Sequence, residues 1–203
     1  MTDILLVDDN PDICRIYHRM LSKMGYAVET VESGAEALSG LAEDRPALVL
    51  LDLMMEPMDG WEVLRRMRAD DRMQDVPVII LTGKMLTPDD VLRYGDQIHG
   101  FVMKPLRRAD LEDVVREFFL EAEDIEARTR NARERGVDEA TIREYVALRH
   151  QVRVLTEMRG CLDRVLGGGD PDTGGDRPEL ADIRTRLDDA KARLGELETV
   201  IAG

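Results

Sequence analysis

Short apolar runs alternate with amphipathic stretches over the first 120 residues of the chain. Runs that are apolar throughout and end in a polar residue are typical of strands in a parallel sheet covered on both faces. Such runs lie at 4–7, 47–51, 78–81 and 100–103. A further run at 27–31 alternates apolar and polar residues. We therefore expect this run to lie nearer an edge of the sheet.

Amphipathic helices are predicted between these strands, and each has a recognisable start. A proline in the first turn, or a Ser, Thr or Asp side chain that accepts a backbone N–H, favours helix initiation. Such residues stand at Pro11, Ser33, Asp59 and Thr87, and a fifth helix is predicted from about Arg107. An alternation of strands and helices implies right-handed crossovers, so the sequence predicts an α/β fold with a doubly wound parallel sheet.

The remaining residues, 121–203, form a predicted C-terminal all-α extension. The fifth helix is expected to continue to about 136, a sixth helix to span about 138–166, and a heptad helix to span 179–201 after a linker at 167–178. The seam of the heptad helix follows the three-and-four spacing of a coiled coil: Leu180, Ile183, Leu187, Ala190, Leu194, Leu197 and Ile201. We expect the last two helices to bury their apolar stripes against each other or against a second copy, as in a dimeric four-helix bundle.

Composition excludes several classes of protein without identifying this one. The 203 residues include 42 acidic and 28 basic ones, a formal net charge of −14. This surplus opposes a mainly electrostatic grip on nucleic acid or on an anionic membrane. We expect no signal peptide and no membrane span, because no apolar run reaches the required length. Cys14 and Cys161 lack metal-ligand spacing, so a cytoplasmic location is expected.

Candidate chemistry stands where the predicted strands end, at Asp8, Asp9, Asp52, Thr82 and Lys104. In a doubly wound sheet, ligands bind outside the carboxyl ends of the strands. A single Asp after a strand is often a turn former or a helix cap, but capping does not account for polar residues at several strand ends. Converging carboxylates need a cation, and Mg²⁺ prefers hard oxygen ligands. A lysine and a hydroxyl beside it would suit a phosphoryl group.

Residues 3–120 resemble the response regulator receiver domain of two-component signalling. The resemblance rests on five motifs in the family's order and spacing: Val7-Asp8-Asp9, Leu51-Asp52-Leu53, Met58-Asp59-Gly60, Leu81-Thr82-Gly83 and Lys104-Pro105. It implies a flavodoxin-like sheet of five parallel strands in the order 2-1-3-4-5. The domain would cover 1–120, followed by the helical extension at 121–203.

The resemblance also implies a site and a switch. Asp52 would be the phospho-acceptor for a sensor histidine kinase, so the chain is expected to be a regulator and no enzyme beyond its own phosphorylation and dephosphorylation. The other implied roles are Mg²⁺ binding by Asp9, Asp52 and the backbone carbonyl of Met54, with Asp8 acting through water; a phosphoryl contact from Lys104; and a switch formed by Thr82 and Phe101. The bond between Lys104 and Pro105 is implied to be cis.

The sequence departs from the family pattern in three places. Glu56 stands where the family usually has proline and Pro57 follows, so the loop after the acceptor is expected to take a different path. Gln97-Ile98 replaces a common Gly-Ala pair and a glycine comes earlier, at Gly95, so the fourth helix is expected to end early. Met54 offers no group to hold an attacking water, which predicts slow self-dephosphorylation.

The extension is expected to bind protein. Residues 121–203 contain 19 acidic and 14 basic residues, and they lack a compact helix-turn-helix pattern, so nucleic acid is not the expected partner. The arginines at 128, 130, 133 and 135 alternate with Glu126 and Glu134 and are expected to form a solvated helix face. His150 is a candidate phosphotransfer histidine, although an exposed surface histidine is the preferred interpretation. Two alternatives stay open: a DNA-binding transcription regulator with an unrecognised output domain, and a phosphoryl carrier or sink without a specific output.

Overall fold

A computed structural model describes the backbone of residues 2–166 and 178–203 and the side chains of 2–160 and 180–203. Its strands are β1 (Ile4–Val7), β2 (Val28–Val31), β3 (Leu48–Asp52), β4 (Val78–Thr82) and β5 (Gly100–Met103). They pair in parallel as one five-stranded sheet in the order β2-β1-β3-β4-β5. The predicted fold class and strand order are confirmed, and the alternating run forms the edge strand β2.

Seven α-helices accompany these strands in the part of the chain that the structure describes. They are α1 (Pro11–Lys23), α2 (Gly34–Glu43), α3 (Gly60–Ala69), α4 (Pro88–Tyr94), α5 (Arg108–Glu134), α6 (Glu139–Leu166) and α7 (Pro178–Ala202). A three-residue 3₁₀ helix, Gly95–Gln97, follows α4. The predicted linker at 167–178 lies outside the described residues except for its last residue, at which α7 begins.

The helix ends follow the expected capping chemistry. Ser33 and Asp59 each accept a backbone N–H from the first turn of their helix. At the start of α4, the Thr87 side chain accepts the N–H of Asp90, and the Asp90 carboxylate accepts the N–H of Thr87, which forms a capping box. α4 has only seven residues, in line with the expected early end.

The chain divides into two compact units, which we call the sheet unit and the helical unit. The sheet unit comprises Met1–Met85 and Gln97–Val114, and the helical unit comprises Leu86–Asp96 and Val115–Gly203. The helical unit therefore includes α4, although α4 lies between two strands of the sheet in the sequence. The domain division predicted from the sequence, at residue 120, assigns α4 to the same domain as the sheet.

The interior of the sheet unit is built from its central strands. Every residue of β1, β3 and β4 is buried, because helices cover both faces of a doubly wound sheet. Burial of the last residues of two of these strands, Asp52 and Thr82, places polar groups at the edge of the apolar core.

The helical unit has an apolar core of its own, formed by the stripes of α6 and α7 with the end of α5. Its cluster consists of Ala132, Ile142, Tyr145, Leu194, Leu197 and Ile201. Ile183 and Leu187 on the heptad seam have no exposed surface. The stripes thus bury each other within one chain, which was the first of the two expected arrangements. Dimerisation through these helices stays a prediction.

Two sequence predictions concern charged residues of the helical unit, namely His150 and the arginine run at 128, 130, 133 and 135. The expectation that His150 is exposed was wrong: it is half-buried, and burial lowers the pKa of its imidazole. The arginine run is paired within the unit. Its partners are Asp124 for Arg128, Glu126 for Arg130, Glu139 for Arg133 and the backbone carbonyl of Ile201 for Arg135.

None of the described helices combines the length and the apolar character that crossing a membrane requires.

Candidate functional site

Three carboxylates converge where β1 and β3 end. Asp52 is the last residue of β3 and Asp8 directly follows β1, and the two strands are paired neighbours in the sheet. Asp8 is 1% exposed and Asp52 is 6% exposed, whereas Asp9 is open to solvent. One oxygen of each of the three side chains lies within 4.8 Å of the others. The predicted acidic cluster is therefore present in the sheet unit.

Backbone N–H groups orient these carboxylates. Each acid accepts one hydrogen bond from the loop that follows a strand, which fixes one oxygen and leaves lone pairs for another ligand. The donors are Asn10 to Asp8 at 3.0 Å, Met54 to Asp52 at 3.2 Å and Glu56 to Asp9 at 3.3 Å. The loop after Asp52 thus serves two of the three acids.

Lys104 brings the positive charge of the site. It directly follows β5, its Nζ lies 2.9 Å from Oδ2 of Asp52, and it forms a second ion pair with Asp8. Burial lowers the pKa of Lys104, but the hydrogen bonds to Asp8 and Asp52 outweigh burial and raise it overall. The pKa of Asp8 is raised, because burial outweighs its hydrogen bond from the Lys104 ammonium.

The donor set fits a hard divalent cation. Three carboxylates face a single ammonium group, so the cluster keeps an excess of negative charge that a cation would balance. Carboxylate oxygens with room for water are the ligands that Mg²⁺ prefers. The structure thus brings Asp8, Asp9 and Asp52 together as predicted. The carbonyl of Met54 belongs to the same loop, and the Met54 side chain is 60% exposed.

The two residues of the predicted switch lie on neighbouring strands. Thr82 ends β4, is fully buried, and its Oγ1 accepts the N–H of Lys84 at 3.0 Å. Phe101 lies in β5 opposite Ile80 and is half-buried. The N–H of Lys104 donates to the Thr82 carbonyl at 2.8 Å, so the backbone ties the two strand ends together.

The peptide bond before Pro105 is cis, as the resemblance implied, and the bond before Pro57 is cis as well. The second cis bond lies at the place where the loop sequence departs from the family pattern.

Gly60 belongs to the Met58-Asp59-Gly60 motif, but the sequence prediction assigned no role to it. A Cβ at this position would lie 2.2 Å from the carbonyl oxygen of Asp52 and 2.9 Å from Cα of Leu53. The N–H of Gly60 also donates to the Leu53 carbonyl at 3.1 Å. Only glycine permits this approach of α3 to the strand that carries the acceptor. The available signal was a glycine directly after the helix cap Asp59.

A second missed residue is Cys14, which is buried in α1. Its thiol donates to the carbonyl oxygen of Asp8 at 3.2 Å. Burial, together with the Asp8 and Glu32 carboxylates, raises the pKa of the thiol to about 11. Cys14 is therefore protonated at neutral pH and supports the backbone of the first acid.

Comparison with known proteins identifies this arrangement. Residues 4–116 match the response regulator receiver domain family. The chain belongs to this family. The receiver domain accounts for more than half of the chain, and its strand ends carry the acidic cluster described above.

Curated relatives extend the comparison. The chain is 31% identical over 158 residues to response regulator Rre1 of Synechocystis sp., which covers 77% of this chain and 64% of that protein. It is 39% identical over 113 residues to the DNA-binding response regulator MtrA of Mycolicibacterium smegmatis, which covers 56% of this chain and 48% of that protein. The chain thus spans about half to two thirds of the lengths of these relatives.

A solved receiver shows the same fold with ligands bound. The response regulator TrrA of Thermotoga maritima was crystallised in complex with Mg²⁺ and a beryllium fluoride. It is 30% identical to this chain with a TM-score of 0.51, and the match covers 58% of this chain and 99% of TrrA.

Proposed function

We propose that the chain is a phosphorylation-dependent regulator in which Asp52 accepts a phosphoryl group from the phosphohistidine of a sensor histidine kinase. One oxygen of Asp52 would form a bond to phosphorus while the bond between phosphorus and the imidazole nitrogen breaks. The imidazole keeps the electron pair of that bond and takes up a proton from solvent. The observation that carries this proposal is the Asp52 carboxylate at a strand end, 2.9 Å from the Lys104 ammonium and beside two further acids.

The other residues of the site would hold the phosphoryl group and the cation. We assign Asp9, Asp52 and the carbonyl of Met54 as direct ligands of Mg²⁺, with Asp8 acting through water. When bound, Mg²⁺ would supply positive charge that reduces the repulsion between the incoming phosphoryl oxygens and the carboxylates. Lys104 would exchange part of its contact with Asp52 for a phosphoryl oxygen. That TrrA was crystallised with Mg²⁺ and a beryllium fluoride supports the binding of a cation and a phosphoryl group by a receiver of this fold.

The switch would connect the phosphoryl group with the sheet. Thr82 would turn its hydroxyl toward the phosphoryl oxygens, and Phe101 on the neighbouring strand would move into the space that Thr82 leaves. The buried position of Thr82 and the half-buried position of Phe101 support this pairing. In this role the chain carries a phosphoryl group and catalyses no reaction on another molecule.

Phosphorylation by a small acyl phosphate with Mg²⁺ tests the acceptor. The wild-type chain is expected to gain one phosphoryl group, seen as a shifted band on a phosphate-affinity gel, and Asp52→Asn is expected to abolish the shift. Asp71→Asn, which changes an exposed acid elsewhere in the sheet unit, is the matched control and should behave like wild type. A shifted band that persists in Asp52→Asn would contradict the assignment.

Two classes of molecule are candidate partners of the C-terminal extension, namely nucleic acid and protein. The comparisons favour nucleic acid, because MtrA is named a DNA-binding response regulator. The expectation that nucleic acid is not a partner is therefore less well supported than its alternative. The acidic balance of residues 121–203 and the internal pairing of the arginine run support a protein partner instead. We keep both as candidates, together with dimerisation through the C-terminal helices and a cytoplasmic location.

A titration of the full chain against labelled genomic DNA fragments separates the two. Binding at physiological salt that strengthens with Mg²⁺ and beryllofluoride would establish the DNA-binding output. Absence of binding, with a protein retained by the beryllofluoride-treated chain in a pull-down, would establish a protein output. If removal of 121–203 leaves function unchanged, the chain is a phosphoryl carrier or sink. Light scattering of the same samples tests the dimer, and a monomer under both conditions would refute it.

A further inference from the structure

Two methionines of the sheet unit are open to solvent. The chain has 11 methionines, and among those whose side chains the structure describes, only Met54 and Met85 are exposed. Met54 is 60% exposed and Met85 is 48% exposed. A thioether sulfur that solvent reaches is open to oxidation, whereas a thioether inside an apolar core is shielded. The sheet unit therefore presents two sulfur atoms to a dissolved oxidant.

Of these two, Met54 lies across the approach to the acceptor. Its backbone N–H donates to Oδ1 of Asp52 at 3.2 Å, which places the start of the side chain beside the carboxylate. The far end of the side chain reaches the neighbouring strand end, because a Cβ at Gly83 would lie 4.0 Å from Sδ of Met54. Gly83 directly follows Thr82, the buried hydroxyl of the site. The Met54 side chain thus extends from the end of β3 to the end of β4, next to the place of a phosphoryl group on Asp52.

Oxidation changes what the Met54 side chain can hold. A thioether sulfur is a weak hydrogen-bond acceptor, so the unoxidised side chain covers the approach without binding water. With hydrogen peroxide, a lone pair of sulfur forms a bond to one peroxide oxygen while the bond between the two oxygens breaks. The second oxygen leaves as hydroxide and takes the proton of the first, which gives water. Sulfur is oxidised to a polar sulfoxide, and the peroxide is reduced.

We propose that Met54 is a redox modification site, and that its oxidation to the sulfoxide by a peroxide shortens the lifetime of the phosphoryl group on Asp52. This inference rests on the proposed function of Asp52. The sulfoxide oxygen accepts a hydrogen bond from a water molecule and holds it beside the phosphorus atom. Holding a reactant in place in this way lowers the barrier to its attack.

The dephosphorylation step itself needs only this water. Its oxygen forms a bond to phosphorus while the bond between phosphorus and the Asp52 oxygen breaks. The carboxylate keeps the electron pair of that bond, and the water gives a proton to solvent. A peroxide therefore returns the regulator to its unphosphorylated state.

The test compares Met54→Leu with Met85→Leu in the full chain. Leucine has nearly the volume of methionine and no sulfur, and both positions are exposed, so neither substitution removes a core contact. Both variants keep Cys14 and Cys161, so oxidation of a thiol would act on both alike. Each chain is treated with hydrogen peroxide or with buffer, freed of the oxidant, phosphorylated by a small acyl phosphate with Mg²⁺, and freed of the donor. Decay of the shifted band on a phosphate-affinity gel gives the lifetime, and peptide mass spectrometry locates the added oxygen.

Peroxide is expected to shorten the lifetime about 5-fold in the wild-type chain and in Met85→Leu, which is the factor that one net hydrogen bond supplies. Met54→Leu should have the same lifetime with and without peroxide, whatever its starting value. A peroxide effect that persists in Met54→Leu would overturn the assignment to Met54. An unchanged or longer lifetime in a wild-type chain oxidised at Met54 would overturn its role in dephosphorylation. A Met54 peptide without added oxygen would overturn the modification site.

Met54→Gln tests the held water without an oxidant. The glutamine amide carries a strong acceptor oxygen near the end of the side chain, which the thioether and leucine lack. Untreated Met54→Gln is expected to lose its phosphoryl group about 5-fold faster than untreated Met54→Leu. Equal lifetimes would count against a water held by this side chain. A wild-type chain that gains no phosphoryl group would contradict the proposed function, whereas mass spectrometry would still decide whether Met54 is the modification site.

Discussion

The sheet unit and the helical unit place their charges in opposite ways. In the sheet unit, three carboxylates surround a single ammonium group, and two of the acids are buried. In the helical unit, partly buried Arg153 is matched by Glu121 at 2.7 Å and by Glu157 at 3.0 Å. A buried charge without compensation costs free energy unless a ligand balances it. Imbalance therefore indicates a binding site, and balance indicates a structural role.

The same contrast separates what stabilises the two units. Exposed ion pairs contribute little to the free energy of unfolding, so the many exposed pairs along α5, α6 and α7 do not explain why these helices hold together. The apolar seam of α7 can explain why these helices hold together. Three substitutions test this difference between the two units.

Leu187→Ala is expected to have the largest effect. The side chain is fully buried on the seam, and its truncation should lower the free energy of unfolding by about 2–5 kcal/mol. Leu120→Ala is the matched control, because Leu120 is 57% exposed in the same unit and should change little. Urea unfolding followed by far-ultraviolet circular dichroism measures both. Equal effects of the two variants would show that the seam does not form the core.

Urea unfolding of the wild-type chain at several protein concentrations also tests dimerisation through the seam of α7. If a second copy covers the seam, the unfolding midpoint of the wild-type chain rises with concentration. A midpoint independent of concentration is expected if the seam is covered within one chain, as its burial there indicates.

Asp9→Asn tests the acidic cluster of the sheet unit. At a concentration of about 100 times its Kd, Mg²⁺ should raise the free energy of unfolding of the wild-type chain by about 2.7 kcal/mol. Asp9→Asn should remove this increment without destabilising the metal-free chain, since the substitution removes one of three like charges.

The control for Asp9→Asn is Asp71→Asn, which should keep the full response to Mg²⁺. If Asp9→Asn retains the same increment, Asp9 is not a ligand. Isothermal titration with Mg²⁺ measures the affinity directly and separates loss of binding from loss of stability.

The sheet and its acidic cluster were predictable from sequence for a common reason. Residues of β3 form one continuous apolar run that ends in Asp52, and local pattern alone identifies such a strand. Parallel strands then bring their carboxyl ends to one edge, so topology places Asp8 next to Asp52 without knowledge of any tertiary contact.

Features that depend on contacts between distant segments were not predictable. The capping box of Thr87 and Asp90 and the glycine at position 95 indicate where α4 begins and ends. They do not indicate that Arg186 of α7 forms an ion pair with Asp96 after its end, because the two residues lie 90 positions apart in the chain. The role of Gly60 was missed for a similar reason: the need for glycine arises from the backbone of Asp52, which only the folded loop brings within contact distance.

Substitution of His150 is expected to have the smallest of the three effects. A negative result would contradict the contrast in charge balance between the two units. Burial lowers the pKa of its imidazole in the folded chain, with Arg153 and Arg149 acting in the same direction and Glu121 opposing. The folded state therefore binds a proton less readily than the unfolded chain does. The stability that neutral His150 contributes is present above its ordinary pKa of about 6.5 and is lost as the pH falls below that value.

His150→Gln is thus expected to reduce the loss of stability of the helical unit between about pH 7.5 and about pH 5, an effect smaller than that of Leu187→Ala. His18→Gln, at an exposed position on α1, should keep the pH dependence of the wild-type chain. Urea unfolding at a series of pH values measures both variants. If His150→Gln is as sensitive to acid as wild type, the charges around His150 compensate its protonation. The helical unit would then accommodate a new buried charge, as the site in the sheet unit does. The contrast in charge balance between the two units would not hold.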